Sequence, residues 1–192
     1  NRLEGCTPLA VSFTNTTQGA NSVNCKWTFG NGSTLLGCQT SSTTYISDGC
    51  YDVSLQMTDD NGCTSTTTYD DYICAHPNPS ADFYYSPENP NVNEPTVEFI
   101  NESEGATIYT WNMGNYASSS EENPEITFPE TPAEYPITLT AENEHGCTDV
   151  SKSIVVIDDV VLFYVPNSFT PDGDNYNEVF KPVMTSGFDP YD

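Results

Sequence analysis

Phe13, Asn15, Gly19 and Ala20 recur 86 residues later as Phe99, Asn101, Gly105 and Ala106. After a two-residue gap, Trp27, Gly30, Asn31, Tyr51, Leu55, Gly62, Cys63 and Thr64 recur 84 residues later as Trp111, Gly114, Asn115, Tyr135, Leu139, Gly146, Cys147 and Thr148. One gap and an otherwise constant offset mark a duplicated module, so any fold proposed for one copy has to suit the other. Within each copy the hydrophobic period is two. Val11-Ser-Phe13 and Val97-Glu-Phe99 alternate apolar and polar, as do Tyr51-Asp-Val53-Ser-Leu55 and Tyr135-Pro-Ile137-Thr-Leu139. That is the pattern of half-buried antiparallel strands.

Turn chemistry agrees with the period. Asp59-Asp60-Asn61-Gly62 and Asn143-Glu144-His145-Gly146 each follow a strand pattern and precede another, which is a hairpin signature with Gly where φ turns positive. Trp27 and Trp111 each precede a tight turn, Gly30-Asn31-Gly32 and Gly114-Asn115-Tyr116. No stretch sustains apolar residues at i, i+3, i+4 and i+7, so helices are not expected. The fold class that follows is all-β: tandem immunoglobulin-like sandwiches of short strands, with Trp27, Trp111, Tyr51 and Tyr135 packed as core rather than displayed to sugars.

Charge narrows the function. Across 192 residues, four basic side chains face 28 acidic ones, for a formal net charge of -24. Such a polyanion lacks the cations that neutralise phosphate, which argues against nucleic acid and anionic lipid as partners. No apolar run is long enough to span a bilayer. The two histidines stand apart, His76 in the linker His76-Pro-Asn-Pro and His145 in a hairpin turn, so there is little material for a Ser/His/Asp or Cys/His catalytic set. In a chain this acidic no single carboxylate pair stands out for glycoside chemistry. The reading is a non-enzymatic protein that requires no cofactor. Asn15, Asn31 and Asn101 begin N-x-S/T sequons, which matter only in a host that uses them.

The first copy carries Trp27-Thr-Phe-Gly-Asn-Gly32 and the second Trp111-Asn-Met-Gly-Asn-Tyr116. With the following Y-x-V-x-L strand and N-x-G turn, these resemble the W-x-F-G-D-G hallmark of PKD (polycystic kidney disease) modules. Met113 and Tyr116 depart from it in the second copy. The resemblance covers most of residues 1–158 and implies Ig-like spacers or ligand-binding modules of extracellular proteins, without catalysis. It divides the chain into module 1 (1–75), module 2 (76–159) and a further segment (160–192). Ala81-Asp-Phe83-Tyr-Tyr85 opens module 2, and nothing equivalent precedes Asn1, so the chain reads as a slice of something longer.

Six of the seven cysteines lie within the first 74 residues, with no CxxC pair, which favours disulfides in an oxidising setting over zinc. A simple hairpin centred between Asn31 and Gly32 sets Cys25 opposite Cys38, the first predicted bond. In the Ig-like topology that the resemblance implies, Cys50 and Cys74 lie at one end of the sandwich. Cys50–Cys74 is the next choice, although a two-residue hairpin misses that register by three positions. Cys6 lies at the same end, so Cys6–Cys50 and Cys6–Cys74 stay open. A head-to-tail stack of modules would instead bring Cys6 to Cys147 and leave Cys63 for an upstream module. The alternative is that Cys63 and Cys147 are free, small core residues.

The last segment contains VPNSFTPDGDNYNEVFKPV (165–183). Pro166, Asn167, Phe169, Thr170, Pro171, Gly173, Asp174, Asn177 and Phe180 match the opening of the gliding-motility-associated C-terminal domain, the type B sorting domain of proteins exported by type IX secretion in Bacteroidota. Asp172, Asn175 and Glu178 replace the usual Asn, Gly and Asp and keep the loop polar. The resemblance implies a further, truncated β-sandwich domain that acts as an export and attachment address. Its partners would be the outer-membrane translocon and a type B attachment protein. Asp172, Asp174, Asn177 and Glu178 also offer the hard oxygen ligands Ca²⁺ prefers; the competing reading is an Asx-rich turn that caps its own backbone.

The function expected is therefore the C-terminal part of a secreted, cell-surface adhesin-like protein in gliding motility or adhesion, with surface glycans or other cells as ligands. The alternatives are an accessory tail of a secreted polysaccharide-degrading enzyme and a calcium-dependent carbohydrate-binding module.

Overall fold

The computed structural model describes residues 3–17, 24–160, 162–164 and 183–185. Among them there is no helix, hence none long and apolar enough to cross a membrane. The first repeat contributes β1 (Leu3–Cys6), β2 (Leu9–Phe13), β3 (Asn24–Thr28), β4 (Thr34–Leu36), β5 (Ser41–Tyr45), β6 (Gly49–Thr58) and β7 (Thr64–His76). They form a five-stranded sheet in the order β1-β7-β6-β3-β4 and a two-stranded sheet β2-β5. The second repeat contributes β8 (Phe83–Ser86), β9 (Thr96–Asn101), β10 (Ile108–Met113), β11 (Ala117–Ser119), β12 (Glu125–Thr127), β13 (Ala133–Glu142) and β14 (Thr148–Ile157). Its sheets run β11-β10-β13-β14 and β12-β9-β8. The shared strands keep one order, β4-β3-β6-β7 with β2-β5 matching β11-β10-β13-β14 with β9-β12, while β1 beside β7 and β8 beside β9 each occur as a strand in one repeat alone among the described residues. A last antiparallel pair, β15 (Leu162–Tyr164) with β16 (Val183–Thr185), follows.

The chain forms two compact units, and their boundary does not follow the repeats. The first holds residues 1–81 together with 103–109 and 140–150; the second holds 82–102, 110–139 and 151–192. In the first, the period-two pattern buries Phe13, Trp27, Phe29, Tyr45, Val53, Ile73 and Ala75 in one cluster. Phe13 packs against Phe29 and Trp27 with ring centroids 5.2 and 5.9 Å apart. The Tyr45 hydroxyl donates to the Phe29 carbonyl at 3.1 Å. Burial, and after it the neighbouring Tyr51, push its pKa up to about 12, so it remains a neutral donor. In the second unit Trp111 is fully buried between Phe83 and Phe99, at 5.0 and 5.4 Å. Its indole N–H donates to the Glu121 carbonyl at 2.9 Å. The matching Trp27 N–H is buried without a partner among the described residues, a deficit of the kind that costs about 1–3 kcal/mol.

Two registers differ from a simple hairpin reading. β3 pairs with β4 as Lys26↔Leu36 and Trp27↔Leu35, which sets Cys25 opposite Gly37 rather than Cys38. Gly37 donates its N–H to the Cys25 carbonyl at 2.8 Å and adopts φ 129°, so the chain turns there and Cys38 comes back to Cys25. β6 and β7 start with Thr58↔Thr64, one position beyond a two-residue hairpin about Asp60-Asn61. Tyr51↔Ile73 and Val53↔Tyr69 then enclose one residue on β6 against three on β7. These two extra residues and the one at the turn sum to the three-position offset that places Cys50 opposite Cys74. The bulge is held by the Asp52 carboxylate, which accepts the N–H of Asp71, a non-glycine residue at φ 46°, at 2.7 Å.

The Trp27 turn shows why glycine is needed at one of its two positive-φ positions more than at the other. Asn31 Oδ1 accepts the Ser33 N–H at 3.0 Å, and Gly30 and Gly32 lie at φ 77° and 87°. A Cβ on Gly30 would stand 2.7 Å from the Asp52 carbonyl oxygen, whereas one on Gly32 would meet nothing within 4 Å. Urea unfolding should therefore separate the two. Gly32→Ala should cost about 1–2 kcal/mol, the left-handed backbone penalty alone, and Gly30→Ala clearly more; equal losses would contradict the close approach to Asp52.

Candidate functional site: the Cys6–Cys147 seam

Within the first compact unit, residues from both repeats meet around one disulfide. The local architecture begins with a turn that occurs twice. In the first repeat Asp59 receives Asn61 N and Cys63 N on Oδ1 at 2.9 and 2.8 Å, while Asp59 N donates to the Cys63 carbonyl at 3.0 Å. In the second, Asn143 Oδ1 accepts from His145 N and Cys147 N, both at 3.0 Å, and Asn143 N donates to the Cys147 carbonyl at 3.0 Å. Such a loop aims the cysteine that ends it the same way in both copies. Cys63 is exposed and unbonded; Cys147 is buried and bonded to Cys6, with Cα atoms 5.5 Å apart.

At the side chain that accepts these bonds the two turns differ by one atom. Asn143 carries an amide nitrogen where Asp59 carries a second carboxylate oxygen. That nitrogen donates to the Pro77 carbonyl at 2.9 Å, which fastens the 76–81 linker to the turn, and the side chain is buried. The linker is held on its other side as well. Thr7 N donates to the His76 carbonyl at 2.9 Å and Asn78 Nδ2 donates to the Thr7 carbonyl at 2.7 Å. Ser80 and Glu104 exchange both backbone hydrogen bonds at 2.9 Å, and Ala81 N donates to Asp149 Oδ2 at 2.8 Å.

The two histidines, far apart in sequence, stack with ring centroids 3.6 Å apart and planes 8° from parallel. His76 Nε2 lies 3.4 Å from Glu4 Oε2, and His145 Nε2 lies 3.6 Å from Glu144 Oε1. The Ala81 N–H, followed by the Val150 N–H, holds the Asp149 carboxyl below the usual Asp range. The arrangement contains no nucleophile set beside a base. Among the described residues no cluster of three or more His, Cys, Asp or Glu is arranged to hold a metal ion. What it can do is bind chain to chain, by one covalent bond and a set of directed hydrogen bonds.

Among the cysteines singled out by sequence, Cys25 bonds Cys38 and Cys50 bonds Cys74, alongside Cys6–Cys147. Pro166, Asn167, Phe169, Thr170, Pro171, Gly173, Asp174, Asn177 and Phe180, and the calcium candidates Asp172, Asp174, Asn177 and Glu178, lie outside the described residues. Asn78, Asn143 and Asp149 were not singled out by sequence. The readable signal for one of them was Asn143 itself, an amide standing at the position that Asp59 occupies in the other copy.

A family model described as the PKD domain matches residues 1–74 and again 76–157. Among curated proteins no match is found. Among solved structures, the chain is similar to the PKD1 domain of the Vibrio cholerae metalloprotease PrtV, with 26% identity and a TM-score of 0.36 over 42% of this chain and 98% of that one. It is similar to the PKD1 domain of Vibrio anguillarum Epp, with 23% identity and a TM-score of 0.37 over 43% and 96%. It is also similar to the fibronectin(III)-like modules of Clostridium thermocellum CbhA, with 12% identity and a TM-score of 0.38 over 82% and 89%.

Two measurements check the seam. Asn143→Asp keeps both turn acceptors but sets a carboxylate oxygen against the Pro77 carbonyl. It should cost about 1–3 kcal/mol in denaturant unfolding, and hydrogen exchange at residues 76–81 should quicken first. The Asp149 carboxyl titrates lower when folded than unfolded, so its contribution is present above the ordinary Asp value of about 3.9 and fades as pH falls through the lowered one. An acid titration of Tm should therefore fall less steeply below that point in Asp149→Asn than in the parent chain.

Proposed function

The chain belongs to the PKD domain family, and from that premise we propose that it is a stalk section of a secreted, adhesin-like surface protein that residues 165–183 address to type IX secretion. PKD membership and three disulfides mark an extracellular or surface protein. The chain acts by bearing load and carries out no chemistry of its own. Its partners are the type IX translocon and an attachment protein in the outer membrane.

The observation that supports a mechanical role is the place of the Cys6–Cys147 bond in the chain. Tension entering ahead of Cys6 crosses through sulfur to Cys147 and leaves along β14. The residues between the two cysteines, a separation of 141, lie off that path. The whole Trp27 core thus belongs to a loop that tension between the chain ends does not load. Loop closure over roughly 100 residues also removes unfolded-state entropy worth about 4–5 kcal/mol in the chain-entropy account.

Pulling on the two ends in a force spectrometer tests this directly. Under oxidising conditions the residues between the cysteines should contribute no extension. Reduction of all three disulfides should release roughly 490 Å more contour length at about 3.5 Å per residue, and Cys6→Ser with Cys147→Ser roughly 360 Å, because Cys25–Cys38 and Cys50–Cys74 still bridge separations of 13 and 24. The same contour length with and without reductant would sink the load-bypass reading. The address is tested separately in a host that runs type IX secretion. The parent chain should become accessible to added protease at the cell surface, and Phe169→Ala with Asp174→Ala should be retained inside the envelope. Equal surface accessibility would remove the sorting role and leave the stalk standing.

A further inference from the structure

The Trp27 and Trp111 turns are built from corresponding residues but capped by different ones. In the first repeat the Asn31 side chain is tied into its own surroundings. Its Oδ1 accepts Ser33 N at 3.0 Å, and its Nδ2 donates to Thr43 Oγ1 and the Thr44 carbonyl at 3.1 and 3.2 Å. In the second repeat Asn112 takes the capping role, with its Oδ1 accepting Gly114 N at 2.9 Å. Tyr116 N then closes the turn on the Met113 carbonyl at 3.2 Å. Asn115, at the position of Asn31, is exposed, and its amide forms no hydrogen bond with the described residues. A group with two donors and an acceptor is thus left unused by the fold.

Beside that amide the repeats differ by a ring. Gly32 of the first turn, where a Cβ would meet nothing within 4 Å, is replaced in the second by Tyr116. The Tyr116 ring is held in place by three neighbours. Its hydroxyl donates to the Thr127 carbonyl at 2.6 Å, the buried Phe128 ring stacks with it at 5.4 Å, and Tyr135 lies at 5.7 Å with planes 59° apart. It nevertheless remains 45% exposed. Asn115, Tyr116, Glu134, Tyr135 and Pro136 line an open cleft of about 560 Å³. The Glu134 side chain is exposed there and, like Asn115, forms no hydrogen bond with the described residues.

The geometry points to a sugar-binding subsite. The cleft takes one hexopyranose ring of an uncharged glycan, with a C–H face of the sugar laid on Tyr116 and adjacent hydroxyls bonded to the Asn115 amide and the Glu134 carboxylate. A hydroxyl both donates and accepts, so one pair of neighbouring hydroxyls satisfies an amide and an acceptor-only carboxylate together. A proline-rich strand also lies on tyrosines, but its backbone offers carbonyls without N–H groups and would leave Glu134 unmatched. Glu134 and a formal net charge of -24 disfavour acidic sugars and phosphate. A tyrosine fixed by its hydroxyl and a stacked neighbour supplies contact area with little rotamer entropy left to lose. Aromatic walls with a few polar groups are typical of small-ligand sites, whose volumes run from roughly 300 to 1,000 Å³. The site goes beyond the stalk role, since binding here depends neither on tension nor on the export address.

The probes are cellohexaose, laminarihexaose, mannohexaose and chitohexaose, all uncharged, each titrated into the isotope-labelled full chain, with oligogalacturonate and decaproline as comparisons. Two-dimensional NMR should show saturable shifts of the Asn115 side-chain amide with at least one of the four, at a Kd below about 1 mM, and these should persist in EDTA. Tyr116→Gly, which gives the second turn the residue of the first, should weaken that binding at least about tenfold, a loss of about 1.4 kcal/mol. Asn115→Ala changes an exposed side chain that holds nothing in the fold, and it should weaken binding several-fold. If Tyr116→Gly does not fold, Asn115→Ala and the amide shifts still decide. No saturable shift with any of the four, undiminished affinity in Asn115→Ala, or loss of binding in EDTA would overturn the proposal. So would equal binding of oligogalacturonate, or tighter binding of decaproline, which would assign the cleft to a proline-rich peptide.

Discussion

The sulfur bridge between Cys6 and Cys147 joins residues 141 positions apart, and the seam is organised around it. A bond across so long a loop needs both thiols delivered to one place by structure that forms without it. On one side, Thr7 donates its N–H to the His76 carbonyl, and β1 lies parallel to the end of β7, with Cys6 paired to His76. On the other, the Asn143 turn aims Cys147 by two hydrogen bonds to a single oxygen. The amide nitrogen of Asn143 then holds Pro77, so the same side chain that aims one cysteine also fixes the linker that follows the strand paired with the other.

Duplication explains why the design is economical. One turn, used twice, presents a cysteine twice, and the copies differ at the accepting side chain and at the residue that in the second copy meets His76. Asp59 and Asn143 satisfy the same backbone donors, but only the amide has a hydrogen left to give to a neighbouring carbonyl. The copies diverge again at tryptophan. The Trp111 indole is satisfied by the Glu121 carbonyl and covered by Phe83, whereas the buried Trp27 indole N–H has no partner among the described residues.

An acidic chain with so few basic residues cannot rely on ion pairs to bind its segments to one another. The seam accordingly uses a covalent bond, amide and backbone hydrogen bonds, and stacked imidazoles. The contacts of His76 with Glu4 and of His145 with Glu144 couple opposite charges there when the rings are protonated. Directed hydrogen bonds and disulfides are less sensitive to the salt of the medium than exposed ion pairs are.

The sequence by itself determined the strand-turn grammar. Alternation in Val11–Phe13 and Tyr51–Leu55, glycines at positive φ, and an offset of 84 to 86 residues leave little besides two copies of one sandwich. These are local signals, since side-chain period and turn stereochemistry are set by neighbours in the chain. Tertiary structure decided what depends on register between distant strands. Two extra residues at the Asp71 bulge and one at the turn bring Cys50 opposite Cys74, and Gly37 rather than Cys38 faces Cys25. The meeting of His76 with His145, and of Asn143 with Pro77, likewise depends on where separate loops end in space. No periodicity encodes that, because the energy of such contacts arises only once both partners have been placed by the folding of everything between them.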